Sequence, residues 1–227
     1  KSSLEKIPPT LLDLLQALST TKESFSLKAW KILCVDIITG DHLFSCNCWN
    51  LDSWNAIFAK WIQDDPDKLL ELIRKLSAYA GTNAPNIFNW NDTESNAGIM
   101  DLKRICYLLM VCPKDAFIMM GPRLQSQISG LLRSTNAASL KPYIYMMIRV
   151  IIITFSEVHL STFWPTVYTE LEATFQKLLE KLLELKFDDD VLGVEHEKLD
   201  LSDFDNNLIL QACKLLDCLL ILGPEEF

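Results

Sequence analysis

The chain has 227 residues, 49% of them hydrophobic and 22% charged, with a formal net charge of −9. That length allows a proper core and that apolar content excludes a largely disordered chain, while the acidic balance excludes a general nucleic-acid binder. Only seven glycines occur, alternating apolar and polar runs are scarce, and leucine-rich helical spacing recurs, so the class is all-α.

Pro8-Pro9 opens a helix over Thr10 to Ser19, with Leu11, Leu14, Leu15 and Leu18 on one side. Ser26 is placed to cap a helix over Leu27 to Thr39, and Gly40 to stop it. After the irregular DHLFSCNCWN, Asp52 is placed to cap Ser53 to Gln63. Asp65-Pro66 then starts a helix that Gly81 ends. Thr82 to Asn96 reads as an Asn-rich loop whose Ile87, Phe88 and Trp90 fold back onto the core. Ala97 to Cys112 is helical, Asp115 to Met120 is a short turn, and Gly121-Pro122 starts Arg123 to Ser134.

The central stretch is Ser139 to Leu185. Tyr143 to Phe155 is apolar almost all round, broken only by Arg149 and Thr154, so it is expected to be the most buried helix. Arg149 should then reach an edge or meet an acid, because an unpaired buried charge is costly. The run is too short to span a bilayer. Thr162 is placed to cap a second helix, begun by Trp164-Pro165. Val167, Leu171, Phe175, Leu178, Leu182 and Leu185 form its apolar stripe. A buried helix beside an amphipathic one is the repeating layer of an α-solenoid, and no period survives, so the expected fold is an irregular HEAT/ARM-like α-solenoid of antiparallel helices. Phe187 to Asp203 reads as an acidic linker, and Phe204 to Leu222 as a last helix with Leu208, Ala212, Leu215, Leu219 and Leu222 on one stripe. The chain thus divides into a solenoid over 1–186, a linker over 187–203, and a C-terminal helix over 204–227 that packs on the solenoid.

Candidate chemistry is sparse. His42, Cys46 and Cys48 are close in sequence, but no second pair completes a zinc tetrahedron. Seven cysteines without framework spacing read as reduced intracellular thiols. Glu157, His159 and Ser161 superficially offer a base and a nucleophile, without signs of an oxyanion hole; a corner histidine at a helix end is the plainer reading. Asp188, Asp189 and Asp190 lack the spacing of a calcium loop. No glycine-rich phosphate loop occurs. No cofactor or catalytic residue is expected.

Charge is unevenly spread. Residues 97–150 carry seven bases against two acids, a net of +5, whereas residues 157–205 carry thirteen acids against four bases, a net of −9. Two surfaces therefore stand out. One is basic, with Lys103, Arg104, Arg123, Arg133 and Lys141 as candidate ligands of an anionic lipid headgroup. If helices alternate in direction, Lys103, Arg104 and Lys141 share an end, joined by one of Arg123 or Arg133. The other is the stripe Leu171, Phe175, Leu178, Leu182 and Leu185, which suits packing within the domain and also contact with a second copy.

Three segments carry a resemblance: NIFNWNDTESNAGIMDLKRICYLLM, LKPYIYMMIRVIIITFSEVHLSTFWPTVYTELEATF and LILQACKLLDCLLILGPEEF. In this order, and with the opening IPPTLLDLLQALS and KAWKILCVDII, they resemble the C-terminal region of the Dopey family. The resemblance implies a non-enzymatic trafficking role as a peripheral protein on the cytoplasmic face of trans-Golgi and endosomal membranes. It implies recruitment through phosphatidylinositol 4-phosphate, self-association, a large partner related to Arf exchange factors, and links to a phospholipid flippase and kinesin. The family pattern continues past GPEEF and both ends look cut, so a fragment of a larger protein is expected. The alternative is a purely protein-binding scaffold without lipid contact.

Overall fold

The computed structural model describes residues 8–21, 28–40, 43–44, 51–80, 92–192 and 203–222. Among them are α1 (Pro9–Ser19), α2 (Lys28–Thr39), α3 (Leu51–Asp64), α4 (Asp67–Ala80), α5 (Asp92–Met110), α6 (Gly121–Arg133), α7 (Lys141–Thr154), α8 (Trp164–Leu192) and α9 (Asp203–Leu222). Short 3-10 turns occupy Ile118–Met120, Thr135–Leu140 and Glu157–His159. No strand occurs among the described residues, and the fold is all-α.

Helices pack chiefly on their next-but-one neighbours: α1 on α3, α4 on α6, α5 on α7 and α7 on α9. Chain neighbours reverse direction, so α5 and α7 run the same way. Gly98, early in α5, faces Leu140 just before α7, and Lys103, further along, lies over Tyr143. A Cβ added to Gly98 would sit 3.1 Å from both Leu140 methyl carbons, which explains a residue without a side chain at this crossing.

The core runs through the rows. Phe58 of α3 lies among Trp54, Trp61 and Tyr107, at ring-centroid distances of 5.9, 6.1 and 5.7 Å. In α7, Ile144, Tyr145, Met147, Ile148, Ile151 and Ile152 are buried, as an all-round apolar helix between two neighbours must be. Each fully buried large apolar side chain contributes about 1.5–3 kcal/mol. The window Ala137–Thr154 is long and apolar enough to cross a membrane by length and composition, contrary to the shorter run read from sequence. More than half of it is buried inside the protein, and α7 serves as a core helix. Arg149 meets no acid among the described residues, but it is only half-buried and so reaches an edge. It donates from Nη2 to the Gln211 amide oxygen at 2.7 Å, a neutral partner on α9, while its Nε is shut from solvent without an acceptor among the described residues.

Several boundaries move. α5 begins at Asp92, inside the segment read as a loop; Ile87, Phe88 and Trp90 lie outside the described residues. α8 continues to Leu192, six residues into the expected linker, and 193–202 lie outside the described residues. Thr162 does not cap α8: its hydroxyl donates to Gln125 Oε1 at 3.0 Å, and the Phe163 carbonyl accepts from the Thr166 and Val167 amides instead. In α1, Leu11, Leu14 and Leu18 line the exposed face, while Leu12 and Ser19 turn inward.

Candidate functional site

Five bases were candidates for an anionic ligand, and the fold separates them. Arg104 is removed from the set. It is buried, pairs with Asp101 at 2.9 Å, and donates to the Ile38 and Thr39 carbonyls at 2.9 and 2.6 Å. Those carbonyls end α2 and lack intrahelical partners, so a buried guanidinium fork satisfies them. A headgroup cannot reach that fork without opening the α2–α5 contact. The signal was in the sequence: Asp101, Arg104, Ile105, Leu108 and Cys112 fall on one helical face, and that face is buried.

Arg133, Lys141 and Lys103 gather at the opposite end from Arg123. Arg133 is exposed in the last turn of α6, where a cation suits the helix dipole. The Thr135–Leu140 turn leads directly into Lys141, the first residue of α7. Lys103 Nζ lies 5.3 Å from the centroid of Tyr143, in the same first turn. Lys141 is half-buried and pairs with Glu170 of α8 at 3.3 Å. Arg123 opens α6, ten residues or about 15 Å from Arg133 along the axis. Its end of α6 meets the C-terminal end of α7, where the Gly121 Cβ position is 3.6 Å from Phe155. Lys103 thus lies beside the first turn of α7 that Lys141 opens, Arg133 precedes it by one short 3-10 turn, Arg123 lies at the far end of α6, and Arg104 is buried.

The α8 stripe divides along its length. Leu171 is buried, Phe175 and Leu178 are half-buried, and Leu182 is 40% exposed. Leu179 and Leu183, off the expected stripe, are also exposed. The side chain of Leu185 lies outside the described residues. The first turns are tied to α7 by Tyr145, whose hydroxyl donates to the Glu170 carbonyl at 3.1 Å and shares a hydrogen bond with Thr174 Oγ1 at 2.6 Å. Burial pushes the Tyr145 phenol above its ordinary pKa, against the lowering effect of the Thr174 bond.

The corner between α7 and α8 holds a residue that spacing did not single out. Asp115 has a φ of 63°, in the left-handed region. Its amide donates to the Thr154 carbonyl at 2.8 Å, and its carboxylate accepts from the Ser156 amide at 2.6 Å and from the Ser156 hydroxyl. Those hydrogen bonds hold its carboxyl below the usual carboxylate range. Asp115 thereby fastens the end of α7. His159 lies in the 3-10 turn of this corner, and its backbone carbonyl accepts from Gln125 Nε2 at 3.3 Å.

Cys34, Cys106 and Cys112 are buried and free, and burial pushes their thiols up to about 12, 12 and 11. Thiols so far from ionising are inert packing groups. His42, Cys46 and Cys48 lie outside the described residues. No group of three metal-ligating side chains occurs among the described residues.

A family model described as DOP1 C-terminal matches residues 1–227. Protein DOP1 of Saccharomyces cerevisiae is 27% identical over 231 residues, covering 99% of this chain and 12% of that protein. Protein dop1 of Emericella nidulans is 27% identical over 216 residues, covering 88% of this chain and 10% of that protein. The Protein DOP1 homolog of Drosophila melanogaster is 24% identical over 160 residues, covering 70% of this chain and 6% of that protein. The chain thus spans about a tenth of the length of these relatives. No solved structure matches it.

Proposed function

Because this chain belongs to the DOP1 C-terminal family, we propose that it is a non-catalytic helical region that recruits a Dopey-type trafficking complex to membranes. The membranes are the cytoplasmic faces of the trans-Golgi network and endosomes, and the lipid read is phosphatidylinositol 4-phosphate. The whole protein would join this region to a large partner related to Arf exchange factors, to a phospholipid flippase and to kinesin.

The observation that carries the lipid reading is the set of Lys103, Arg133 and Lys141 around the first turn of α7. Lys141 is held to Glu170 at 3.3 Å, a loose pair that a phosphate displaces. The positive end of the α7 dipole lies there and favours an anion, although the Lys141 amide is already given to the Ala138 carbonyl and Pro142 has none to offer. The overall charge of −9 does not oppose this. At physiological salt the screening length is about 8 Å, so the acids of distant helices have little effect on a headgroup at this end.

Flotation on phosphatidylcholine vesicles with and without phosphatidylinositol 4-phosphate tests the reading. The wild type should float only with the phosphoinositide, less so as salt rises. The K103E/R133E/K141E variant should stay down with an unchanged circular dichroism spectrum. Undiminished flotation of that variant refutes the site.

A second reading is a protein scaffold that self-associates through the distal half of α8. The apolar residues Leu179 and Leu182, 57% and 40% exposed, favour it. A wild type that never floats, but whose concentration-dependent dimer is lost in L179E/L182E, would select the scaffold.

A further inference from the structure

A cavity of about 130 Å³ lies where α7 ends, α8 begins and α9 ends. Its fixed wall is apolar: Ile152, Phe155, Leu160 and Trp164 line it and are buried. Two charged residues also line it, Lys114 and Glu157. Lys114 is exposed. One carboxylate oxygen of Glu157, Oε1, is shut from solvent and has no hydrogen-bond partner among the described residues. Neither residue belongs to the set of bases around the first turn of α7.

The chemistry of this lining selects a ligand. A carboxylate with one oxygen shut from solvent and unpartnered is poorly solvated, so it gains strongly from a cation that donates a hydrogen bond to it. Phe155 and Trp164 add ring faces or edges to the same wall, which suits a small organic cation over a metal ion. Lys114 supplies the opposite charge and suits an anion beside that cation. The volume is a little under the roughly 150 Å³ that holds a benzene ring, so it takes in about six heavy atoms of a head and leaves the rest at the mouth, beside the exposed Lys114. An ammonium separated from a phosphate by two carbons meets all four conditions. A quaternary ammonium does not, because it has no N–H to give Glu157.

The surroundings say whether such a head arrives free or on a lipid. Leu222, which lines the cavity, is half exposed, and its neighbours Leu220 and Ile221 are more so. Val158, beside Glu157 in the same 3-10 turn, is 74% exposed. These are exposed apolar side chains on a turn and in the last turn of α9, which suit insertion among acyl chains.

We propose that this cavity takes the ethanolamine headgroup of a phospholipid, with its ammonium on Glu157, its phosphate on Lys114, and Val158, Leu220 and Ile221 among the acyl chains. The proposal rests on the membrane reading above only in placing the chain at a bilayer, since its residues and its lipid are different.

The test is flotation on three vesicle types: phosphatidylcholine alone, phosphatidylcholine with phosphatidylethanolamine, and phosphatidylcholine with phosphatidylinositol 4-phosphate. Phosphatidylethanolamine should strengthen wild-type partitioning about tenfold over phosphatidylcholine alone, the worth of one charge-assisted hydrogen bond. Glu157→Gln should lose that gain and keep the phosphoinositide response. The K103E/R133E/K141E variant should keep the gain and lose the phosphoinositide response, so the two readings fail separately. Lys114→Glu is the second variant and should also lose the gain; melting curves check that both fold. Equal partitioning with and without phosphatidylethanolamine, or an undiminished gain in Glu157→Gln, overturns the proposal. Glu157-dependent binding of soluble O-phosphoethanolamine without any vesicle effect also overturns it, in favour of a free zwitterion.

Discussion

α7 and α8 follow each other in the chain and are both rich in branched aliphatic residues, Ile in α7 and Leu in α8, yet the protein uses them in opposite ways. α7 lies between α5 and α9, with eight of its fourteen residues buried. α8 is twice as long, at 29 residues, and among its described side chains the buried and half-buried ones end at Leu178. The difference follows from the distribution of apolar side chains. An apolar surface on every side can be removed from water only by neighbours on both sides, whereas a single stripe needs one neighbour and ends where that neighbour ends. Leu179, Leu182 and Leu183 of α8 are exposed. The interior helix carries stability, and the described middle of α8 carries exposed apolar surface.

The sharpest way to break this comparison is to cut equal side chains from both helices. Ile148→Ala, at a fully buried position, should cost about 2–5 kcal/mol, because it removes transfer energy and leaves a cavity. Leu182→Ala, at an exposed position, should change stability by no more than about 0.5 kcal/mol. Urea titration followed by circular dichroism measures both. Similar losses would mean that α8 is as embedded as α7.

The tie between the helices is weaker and has its own signature. Tyr145→Phe removes two hydrogen bonds and should cost about 1–2 kcal/mol. Because burial raises the Tyr145 pKa, the folded state favours the neutral phenol. Its contribution is therefore complete below the unfolded-state pKa of about 10 and is lost as pH rises above it. The pH dependence of the wild type above that point should be steeper than that of Tyr145→Phe. The raised thiols of Cys34, Cys106 and Cys112 act in the same direction, starting from the lower unfolded-state value of about 8.5. The wild type should thus begin to lose stability in mild alkali, before the phenol contributes.

The tie between α7 and α9 should be the smallest. Gln211→Glu gives Arg149 the acid that it lacks and should stabilise by about 1 kcal/mol at neutral pH, with the gain disappearing in acid. No gain would show that the guanidinium is already satisfied.

Much of this was legible in the chain and some could not be. The all-round apolar run located α7, and Trp164-Pro165 located the start of α8, because both are local signals. The burial of Arg104 was half legible, since spacing puts it on the inward face beside Asp101, but its carbonyl partners Ile38 and Thr39 lie 66 and 65 residues away. Asp115 was not legible: nothing in PKDAF marks a left-handed residue that holds Ser156, 41 positions on. The face of α1 misleads for the same reason: of the stripe Leu11, Leu14, Leu15 and Leu18 only Leu15 packs against the core, because the stripe does not say which side its neighbour takes. The candidate bases were all found by charge, but their grouping depends on helix directions and on what each guanidinium or ammonium already holds.

Native-state hydrogen exchange, resolved by peptide, compares the two helices in one experiment. Amides of 144–152 in α7 should exchange only through global unfolding, with protection that falls in parallel with stability as denaturant rises. Amides of 179–183 in α8 should exchange by local opening, faster by orders of magnitude and insensitive to low denaturant. Equal protection of the two segments, or faster exchange in 144–152, would contradict the division of the molecule into a helix that holds the fold and a helix whose middle is exposed.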